Sequence, residues 1–248
     1  MAEASPDEMI SLWSTSAEAW DKAVLEDVNR IGLLDSRALA LMREVTGQKV
    51  LDVGCGEGRF VRMLREKGAL AEGLDPIPHF INLAKERCPE ATWHLGRAEE
   101  MDLRGFDWVV CYLSLIDVSD LKESAAACAE ALVPGGKLLN ITLSPFATTR
   151  TSAYETDPET GEAYIRMEDY SSSRPQRVGW KGIEIINFHR PLDEQLMCFI
   201  NQGLILRHYQ EAVPTDSEVE QFPKLSIQQK LPLFNLQVWE KPHAPFTH

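Results

Sequence analysis

The strongest constraint on the fold of this chain is an alternation of short apolar runs with amphipathic helical segments between residues 48 and 144. Five of the runs have the length of β-strands: QKVLDVG, LAEGLD, ATWHLG, FDWVVCYLSL and KLLNITLS. Three segments between them, RFVRMLREKG, PHFINLAKERC and DLKESAAACAEAL, space their apolar residues as helices do. Repeated units of strand, helix and strand predict a parallel sheet.

Segments on either side of this region extend the predicted architecture. Before it, apolar residues at helical spacing predict two amphipathic helices, over 21–35 and 36–45. After it, LILRHYQEAVP and PLFNLQVWEKP predict two final strands, and RPLDEQLMCFINQG predicts a helix. We therefore predict an α/β fold of Rossmann-like type, a doubly wound and mostly parallel seven-stranded sheet with helices on both faces. An N-terminal helical cap and an insertion after strand five complete it.

The insertion lacks the regularity of its surroundings. From residue 145 to about 182 the chain is rich in Thr, Ser, Pro, Gly and Tyr and has no firm period, whereas IEIINFH at 183–189 is strand-like. A long structureless segment in a compact domain is usually a functional loop. We expect residues 145–188, called the lid below, to pack over one end of the sheet.

Charge and composition exclude several classes of protein. The formal net charge of −13 opposes binding to a nucleic-acid backbone, and no run of Lys or Arg offsets it locally. The first residues lack the apolar segment of a signal peptide, and no apolar stretch approaches the ~18 residues of a membrane span. Five cysteines without a CxxC pair suit a reducing compartment, and six histidines show no paired metal-ligand spacing. We expect a cytoplasmic protein without nucleic acid, membrane or metal.

A glycine-rich loop, DVGCGEG at 52–58, joins the first strand to its helix. It lies at the carboxyl end of that strand, where open α/β sheets bind ligands. Glycine there lets the backbone approach a ligand closely, although an isolated GxG is also an ordinary tight turn. A dinucleotide fingerprint would place glycine at position 59, where this chain has Arg59, and no GK[ST] follows for a P-loop. The register therefore disfavours a pyrophosphate ligand.

Two acidic residues indicate what the ligand carries. Asp52, just before the glycines, would repel a pyrophosphate but attract a ligand with an ammonium and a sulfonium, as in S-adenosylmethionine. Asp75 ends the second strand, 21 residues after Gly54, where an acid can accept hydrogen bonds from both ribose hydroxyls. The joint pattern favours S-adenosylmethionine over NAD.

On these residues the sequence resembles the class I S-adenosylmethionine-dependent methyltransferases, in particular bacterial enzymes for small molecules. VLDVGCGEGRF is similar to that family's first motif and GLDP to its second acidic position, and the resemblance covers roughly residues 49–144. It implies that the glycines line the methionine part of the cofactor, that Asp75 binds the ribose and that Ala98 and Glu99 border the adenine. The expected cofactor-binding residues are Asp52, Gly54, Cys55, Gly56, Asp75, Pro76, Ala98, Glu99, Tyr112 and Leu113.

The methyl acceptor is expected beyond this cleft, under the N-terminal helices and the lid. Trp13, Trp20 and Trp180 are candidates for its walls, although all three also suit ordinary packing. His189 is the candidate general base, because an unperturbed imidazole pKa of ~6.5 suits proton removal near neutral pH. Arg190 is a candidate to neutralise an acceptor carboxylate. For His189 and Arg190 the alternative is structural hydrogen bonding at a helix start.

The sequence thus predicts an enzyme that transfers a methyl group from S-adenosylmethionine to a small molecule, with a hydroxyl oxygen as the favoured acceptor. A protein, N- or C-methyltransferase of the same fold, a non-catalytic S-adenosylmethionine-binding protein and an NAD-dependent oxidoreductase remain as alternatives. We expect a monomer or homodimer with a single domain. Its parts are the helical cap (1–46), a cofactor-binding half (47–144), the lid (145–188), and a C-terminal helix with the final strands (189–248).

Overall fold

The computed structural model describes residues 5–243, in which the strands divide between one central sheet and two hairpins. The strands are β1 (Lys49–Val53), β2 (Leu70–Asp75), β3 (Trp93–Leu95), β4 (Phe106–Tyr112), β5 (Leu132–Leu143), β6 (Glu155–Thr156), β7 (Ala163–Tyr164), β8 (Arg174–Trp180), β9 (Ile183–His189), β10 (Ile205–Glu211) and β11 (Phe234–Glu240). The central sheet has the order β10-β11-β5-β4-β1-β2-β3. Its pairs from β5 to β3 are parallel, while β11 is antiparallel to both neighbours. This confirms the predicted Rossmann-like sheet of seven strands.

Helices cover both faces of the sheet. They are α1 (Pro6–Val24), α2 (Asp35–Leu41), α3 (Arg59–Glu66), α4 (Pro78–Arg87), α5 (Leu121–Ala131), α6 (Leu192–Ile200) and α7 (Asp216–Gln221). Alternate residues of β4 enter two different cores, because successive side chains of a strand point to opposite faces. Trp108, Val110 and Tyr112 pack with α2, α3 and α4, whereas Val109 and Cys111 pack with α5 and α6. Burial of both faces explains why the parallel strands are continuous apolar runs in the sequence.

Shorter helical turns connect these elements. A π-helical turn, Arg30–Leu34, precedes α2. Turns of 3-10 type occupy Ala98–Glu100, Leu115–Asp117, Pro145–Thr148 and Pro223–Gln229. Within residues 5–243, no helix combines the length and the apolar character needed to cross a membrane.

The N-terminal helices differ from the prediction in their boundaries. α1 begins at Pro6, where the Ser5 hydroxyl caps it by accepting a hydrogen bond from Glu8 N at 3.1 Å. It ends at Val24, and a turn in which Asn29 N donates to Asp27 Oδ1 interrupts the predicted helix over 21–35. Apolar residues on both sides of this turn are buried, so their spacing alone does not reveal it. The second helix also ends early, at residue 41.

The lid contains more regular structure than its composition predicts. β8 and β9 form an antiparallel hairpin with Trp180 opposite Ile183, and β6 pairs with β7. Lys181 and Gly182, at the tip of the longer hairpin, both have positive φ, 46° and 83°, as a two-residue hairpin turn requires. This hairpin packs on α1 through Met9 and Ile186 and is separate from the central sheet. The expectation of a structureless segment up to residue 182 is therefore wrong for β8.

Candidate active site

The glycine loop after β1 leaves open space at one position. Gly54, Gly56 and Gly58 all have φ between 55° and 79°, which favours glycine. A Cβ on Gly54 or on Gly58 would come within 2.3 Å of a neighbouring side chain, so packing itself requires those two glycines. At Gly56 the nearest atom would be Trp20 Nε1, 3.8 Å away. A ligand can therefore lie directly against the backbone at Gly56.

The carboxylate of Asp75 lies against this loop at the end of β2. Its Oδ2 accepts a hydrogen bond from Gly56 N and its Oδ1 accepts one from Ile77 N, each at 2.9 Å. Burial raises the pKa of Asp75 to about 6, and the two N–H donors oppose that rise. Each oxygen can accept a further hydrogen bond. The side chain therefore has the acceptor capacity that a ribose diol needs.

Asp52 is a buried carboxylate with an unpaired oxygen. The residue is 1% exposed, and its Oδ1 has no hydrogen-bond partner among residues 5–243. Burial raises the pKa of Asp52 to about 7, Arg30 lowers it, and Asp75 adds to the rise. An unpaired buried carboxylate oxygen costs free energy, which a bound cation would offset. The site therefore fits a ligand with an ammonium group.

One cavity of about 710 Å³ joins these residues. The strand order places β1 between β2 and β4, so the loops after these strands meet at one edge of the sheet. The cavity wall includes every residue predicted to bind the cofactor: Asp52, Gly54, Cys55, Gly56, Asp75, Pro76, Ala98, Glu99, Tyr112 and Leu113. The structure thus gathers these residues, and their individual contacts with a cofactor stay predictions.

The three tryptophans predicted for the acceptor side line the same cavity. The rings of Trp13 and Trp20 meet edge to face with centroids 5.3 Å apart, and Trp20 meets Trp180 in the same manner at 6.4 Å. Since Trp180 belongs to β8, α1 and the lid meet through aromatic rings at the edge of the cavity. These side chains therefore serve packing and line the cavity at once.

His189 lines the cavity, and both of its ring nitrogens form hydrogen bonds within the protein. The residue is fully buried, and its Nε2 donates a hydrogen bond to the Tyr170 carbonyl oxygen at 2.8 Å. In the neutral ring, Nδ1 then accepts a hydrogen bond from the Thr148 hydroxyl, also at 2.8 Å. Burial lowers the pKa of His189, which favours this neutral form. These contacts favour the structural alternative, in which His189 holds two parts of the lid together, and its role as general base stays a prediction.

Arg190 is likewise held by contacts within the protein. The side chain is buried, and its guanidinium donates hydrogen bonds to the carbonyl oxygens of Leu115, Val118 and Ser119. It is absent from the residues that line the cavity within the described part of the chain. These contacts with backbone carbonyls favour the structural alternative for Arg190, and its role toward an acceptor carboxylate stays a prediction.

Arg30 is a cavity residue that the sequence analysis misses. Its guanidinium lies over the rings of Trp20 and Tyr112, 5.1 and 4.8 Å from their centroids. Its Nε lies 3.4 Å from Asp27 Oδ2. The π-helical turn brings this cation to the cavity. In the sequence, a single arginine within a helical pattern does not indicate that its side chain lines a site.

Asp117 is a second missed residue, at the end of the 3-10 turn after β4. Its Oδ1 accepts a hydrogen bond from the side-chain amide of Asn187, which belongs to β9. Burial raises the pKa of Asp117 to about 8, although Asn187, Arg30 and Arg190 all act to lower it. The segment CYLSLID contains this acid, but a single acid after a strand indicates no function by itself.

Comparison with known proteins identifies the family. A family model described as a methyltransferase domain matches residues 50–136. The ubiquinone biosynthesis O-methyltransferase of Saccharophagus degradans is 31% identical over 201 residues, which are 75% of this chain and 79% of that protein. The enzyme of the same name from Idiomarina loihiensis is 30% identical over 152 residues, or 56% of this chain. The chain spans only 61% of the length of the Idiomarina protein.

Solved structures agree with this result. The S-adenosylmethionine-dependent methyltransferase of Mesorhizobium loti superposes with a TM-score of 0.75 at 27% identity, over 82% of this chain and 96% of its own. The chain belongs to the class I S-adenosylmethionine-dependent methyltransferases. S-adenosylmethionine is the cofactor, and the open face at Gly56, the unpaired oxygen of Asp52 and the carboxylate of Asp75 all fit it. The alternative of an NAD-dependent oxidoreductase is therefore wrong. Within residues 5–243, no group of three or more His, Cys, Asp or Glu is arranged to hold a metal ion.

Proposed function

We propose that this protein transfers the methyl group of S-adenosylmethionine to a hydroxyl oxygen of a small molecule in the cytoplasm. The observation that carries the proposal is the cavity, which continues from the glycine loop to a region bordered by α1 and the lid. An acceptor within this volume suits a small molecule better than a folded protein or a nucleic-acid strand. The net charge of −13 also opposes nucleic-acid binding. The relatives named O-methyltransferases support oxygen as the accepting atom.

The acceptor end of the cavity is mostly apolar. The apolar side chains from α1 and the lid that line the cavity include Met9, Ile10, Trp13, Val178, Trp180 and Ile185. Burying apolar ligand surface against such a wall contributes roughly 25 cal/mol per Å². We therefore expect an acceptor that carries an aromatic ring or an extended apolar group beside its hydroxyl.

Charged residues at the other end are proposed to hold the cofactor. Asp75 would accept hydrogen bonds from the ribose hydroxyls. Asp52 and Arg30 are close enough for the cation to lower the pKa of the acid. A carboxylate beside a guanidinium matches the ammonium and carboxylate of an amino acid, so this pair is proposed to bind the methionine part. Arg30 is thus the partner proposed for the methionine carboxylate.

The chemistry asks little of the protein beyond alignment and exclusion of water. S-adenosylmethionine supplies a methyl group on a positively charged sulfur, which already activates it for displacement. The residues of this chain then need to orient the acceptor oxygen and hold it close. The aromatic contact between Trp20 of α1 and Trp180 of the lid lies in the cavity wall, where we propose that it helps to exclude water during the reaction.

A product assay tests the proposal. The purified protein is incubated with methyl-labelled S-adenosylmethionine and a panel of phenols, aliphatic alcohols, amines and carboxylates, and the products are identified by mass spectrometry. O-methylated product is expected from wild type, and none from Gly56→Val, whose side chain would fill the cofactor's place. Methylation confined to nitrogen, carbon or added protein would contradict the proposal. Binding of S-adenosylhomocysteine without any product would favour a non-catalytic protein.

A further inference from the structure

A partly buried acid and an amide meet across the acceptor side of the cavity. Asp117 closes the 3-10 turn after β4, and Asn187 of the lid donates its side-chain N–H to Asp117 Oδ1. Both residues line the cavity. We infer that Asp117 accepts the proton of the acceptor hydroxyl, and that Asn187 holds the carboxylate in place for this step. The inference rests on the proposed function, because it concerns proton removal from an acceptor oxygen.

The contacts of Asp117 leave one oxygen for a ligand. Asn187 engages Oδ1, whereas Oδ2 receives no hydrogen bond from the part of the chain that the structure describes. The residue is partly exposed, and it lies in the cavity wall. Oδ2 is therefore available to a hydroxyl group bound in the cavity.

Arg190 fixes the turn that carries this carboxylate. Its guanidinium donates to the carbonyl oxygens of Leu115 at 3.2 Å and Ser119 at 3.3 Å, on either side of Asp117. Charges facing Asp117 come from three elements. The cations of Arg30 and Arg190 favour its ionised form, while Asp75 and burial favour the protonated form. Burial is the largest effect, so the pKa of Asp117 lies at about 8.

Other titratable side chains near the acceptor are engaged elsewhere. Both ring nitrogens of His189 bind protein groups. The Tyr112 hydroxyl donates to Asp35 Oδ1 and the Tyr154 hydroxyl donates to the Leu231 carbonyl oxygen, each at 2.8 Å. Among these candidates, only the carboxylate at residue 117 combines a place in the cavity wall with an accepting oxygen left for a hydroxyl.

The step is a proton transfer coupled to displacement. The acceptor O–H bond breaks, its proton moves to Asp117 Oδ2, and the oxygen electron pair forms the bond to the methyl carbon. The electron pair of the carbon–sulfur bond stays on sulfur, which leaves a methyl ether and S-adenosylhomocysteine. Asp117 then releases its proton to water. An acid whose pKa is raised in this way accepts a proton from a phenol more readily than an ordinary aspartate does.

Asp117→Asn tests this step. Its matched control is Asp102→Asn, which removes the same charge from a carboxylate that is 92% exposed. Single-turnover rates are measured for phenols of graded pKa. The single-turnover rate of Asp117→Asn should be ~10²–10⁴-fold below that of wild type with phenols that begin protonated, and the reduction should be far smaller with phenols that are already ionised. His189→Ala should reduce the rate by one constant factor across the whole series, because its ring supports the lid. Asp102→Asn should have the wild-type rate with every phenol.

Asn187→Asp supplies a second readout. A carboxylate beside Asp117 would raise the pKa of Asp117 further, because like charges at close range oppose ionisation. The rising limb of the pH–rate profile should therefore move to higher pH. If Asn187 is only structural, the rate should fall without any movement of the limb.

The outcomes separate this inference from the proposed function. Equal losses of Asp117→Asn across the phenol series, or loss of its S-adenosylhomocysteine binding, would overturn the inference alone. An unmoved pH limb in Asn187→Asp would overturn the role of the pair. Failure of wild type to methylate any hydroxyl compound, despite binding S-adenosylhomocysteine, would overturn the proposed function and the inference together.

Discussion

Asp75 Oδ2 accepts a hydrogen bond from Gly56 N at 2.9 Å, which joins the acid at the end of β2 to the glycine loop after β1. The same carboxylate also accepts a hydrogen bond from Ile77 N, so it contacts the backbone of the loops that follow both β1 and β2. A substitution at Asp75 therefore removes a proposed ribose contact and also loosens the loop. We therefore expect substitutions of the two residues to affect cofactor binding together.

Asp75→Ala should remove most of the thermal stabilisation given by S-adenosylhomocysteine. Ligand at 100 times its Kd stabilises a protein by about 2.7 kcal/mol, and this gain disappears when binding is lost. Differential scanning fluorimetry with and without the ligand measures the effect. The control is Asp107→Ala, which deletes a carboxylate that accepts a hydrogen bond from Lys49 N at 2.8 Å, near the amino ends of β4 and β1 and away from the glycine loop. A full ligand shift in Asp75→Ala would contradict the ribose assignment.

Gly56→Val should abolish S-adenosylhomocysteine binding, because the new side chain fills the space that Gly56 leaves open. Gly47→Val is the matched control, since Gly47 also has positive φ, 73°, and would place its Cβ in open space outside the cavity. Both variants strain the backbone by roughly 1–2 kcal/mol. Isothermal titration calorimetry should find normal affinity only in Gly47→Val. Equal affinities would mean that the loop is merely a turn.

Asp52→Asn should change how stability depends on pH. Folded Asp52 keeps its proton up to about pH 7, whereas the unfolded chain releases it near the ordinary value of 3.8. The native state thus binds more protons between these values, and the free energy of unfolding falls as pH rises through them. Without ligand at pH 8, Asp52→Asn should have a higher melting temperature than wild type. Each 1 kcal/mol of added free energy of unfolding raises the melting temperature by about 2–4 °C. It should also bind S-adenosylhomocysteine more weakly.

Melting curves from pH 5 to pH 8 test this prediction. Asp102→Asn, at an exposed carboxylate, should keep the wild-type dependence. If the melting temperature of Asp52→Asn fell with rising pH as much as that of wild type, the pH dependence would come from another buried acid.

Arg30→Met should weaken binding of S-adenosylhomocysteine by ~10–100-fold, the loss expected for a hydrogen-bonded charge pair. Binding of 5′-methylthioadenosine, which lacks the amino-acid part, should stay unchanged. Arg43→Met, at an exposed arginine of the same N-terminal region, should alter neither affinity. Equal weakening for both ligands would show that Arg30 supports the cleft through its contacts with Trp20 and Tyr112 and does not bind the carboxylate.

Local patterns were sufficient to predict the central sheet. LAEGLD was predicted as a strand, and β2 spans Leu70–Asp75, because a short apolar run between two helices has few other ways to bury both faces. The start of α1 at Pro6 also has a local signal, since Ser5 is a capping residue and proline favours the first helical turn. For β8 the local signals conflict, because Pro175 and Gly179 are uncommon inside strands, whereas Gly182 suits the two-residue turn that pairs it with β9.

In the candidate site, too, some residues can be placed from the sequence and others cannot. The cofactor residues follow neighbouring strands, so sequence motifs place them together. The contacts of His189 and Arg190 are not predictable in this way, since their hydrogen-bond partners include Tyr170 and Leu115, which are 19 and 75 residues away in the chain. No residue pattern reports that a ring nitrogen or a guanidinium is already engaged. Asp117 was missed for the converse reason, because its partner Asn187 lies 70 residues away.

Ser16 and Glu184 exchange two hydrogen bonds, since the serine hydroxyl donates to the Glu184 carbonyl oxygen at 3.0 Å and accepts from Glu184 N at 2.9 Å. This pair fastens the β8–β9 hairpin to α1 at a position that is 168 residues away in the chain. These two hydrogen bonds couple the position of the hairpin to that of α1, so we expect a displacement of one to break the pair or to carry the other with it. The amide hydrogen of Glu184 is protected from exchange while the pair is intact. Its rate of exchange with deuterium therefore reports how often the hairpin separates from the helix.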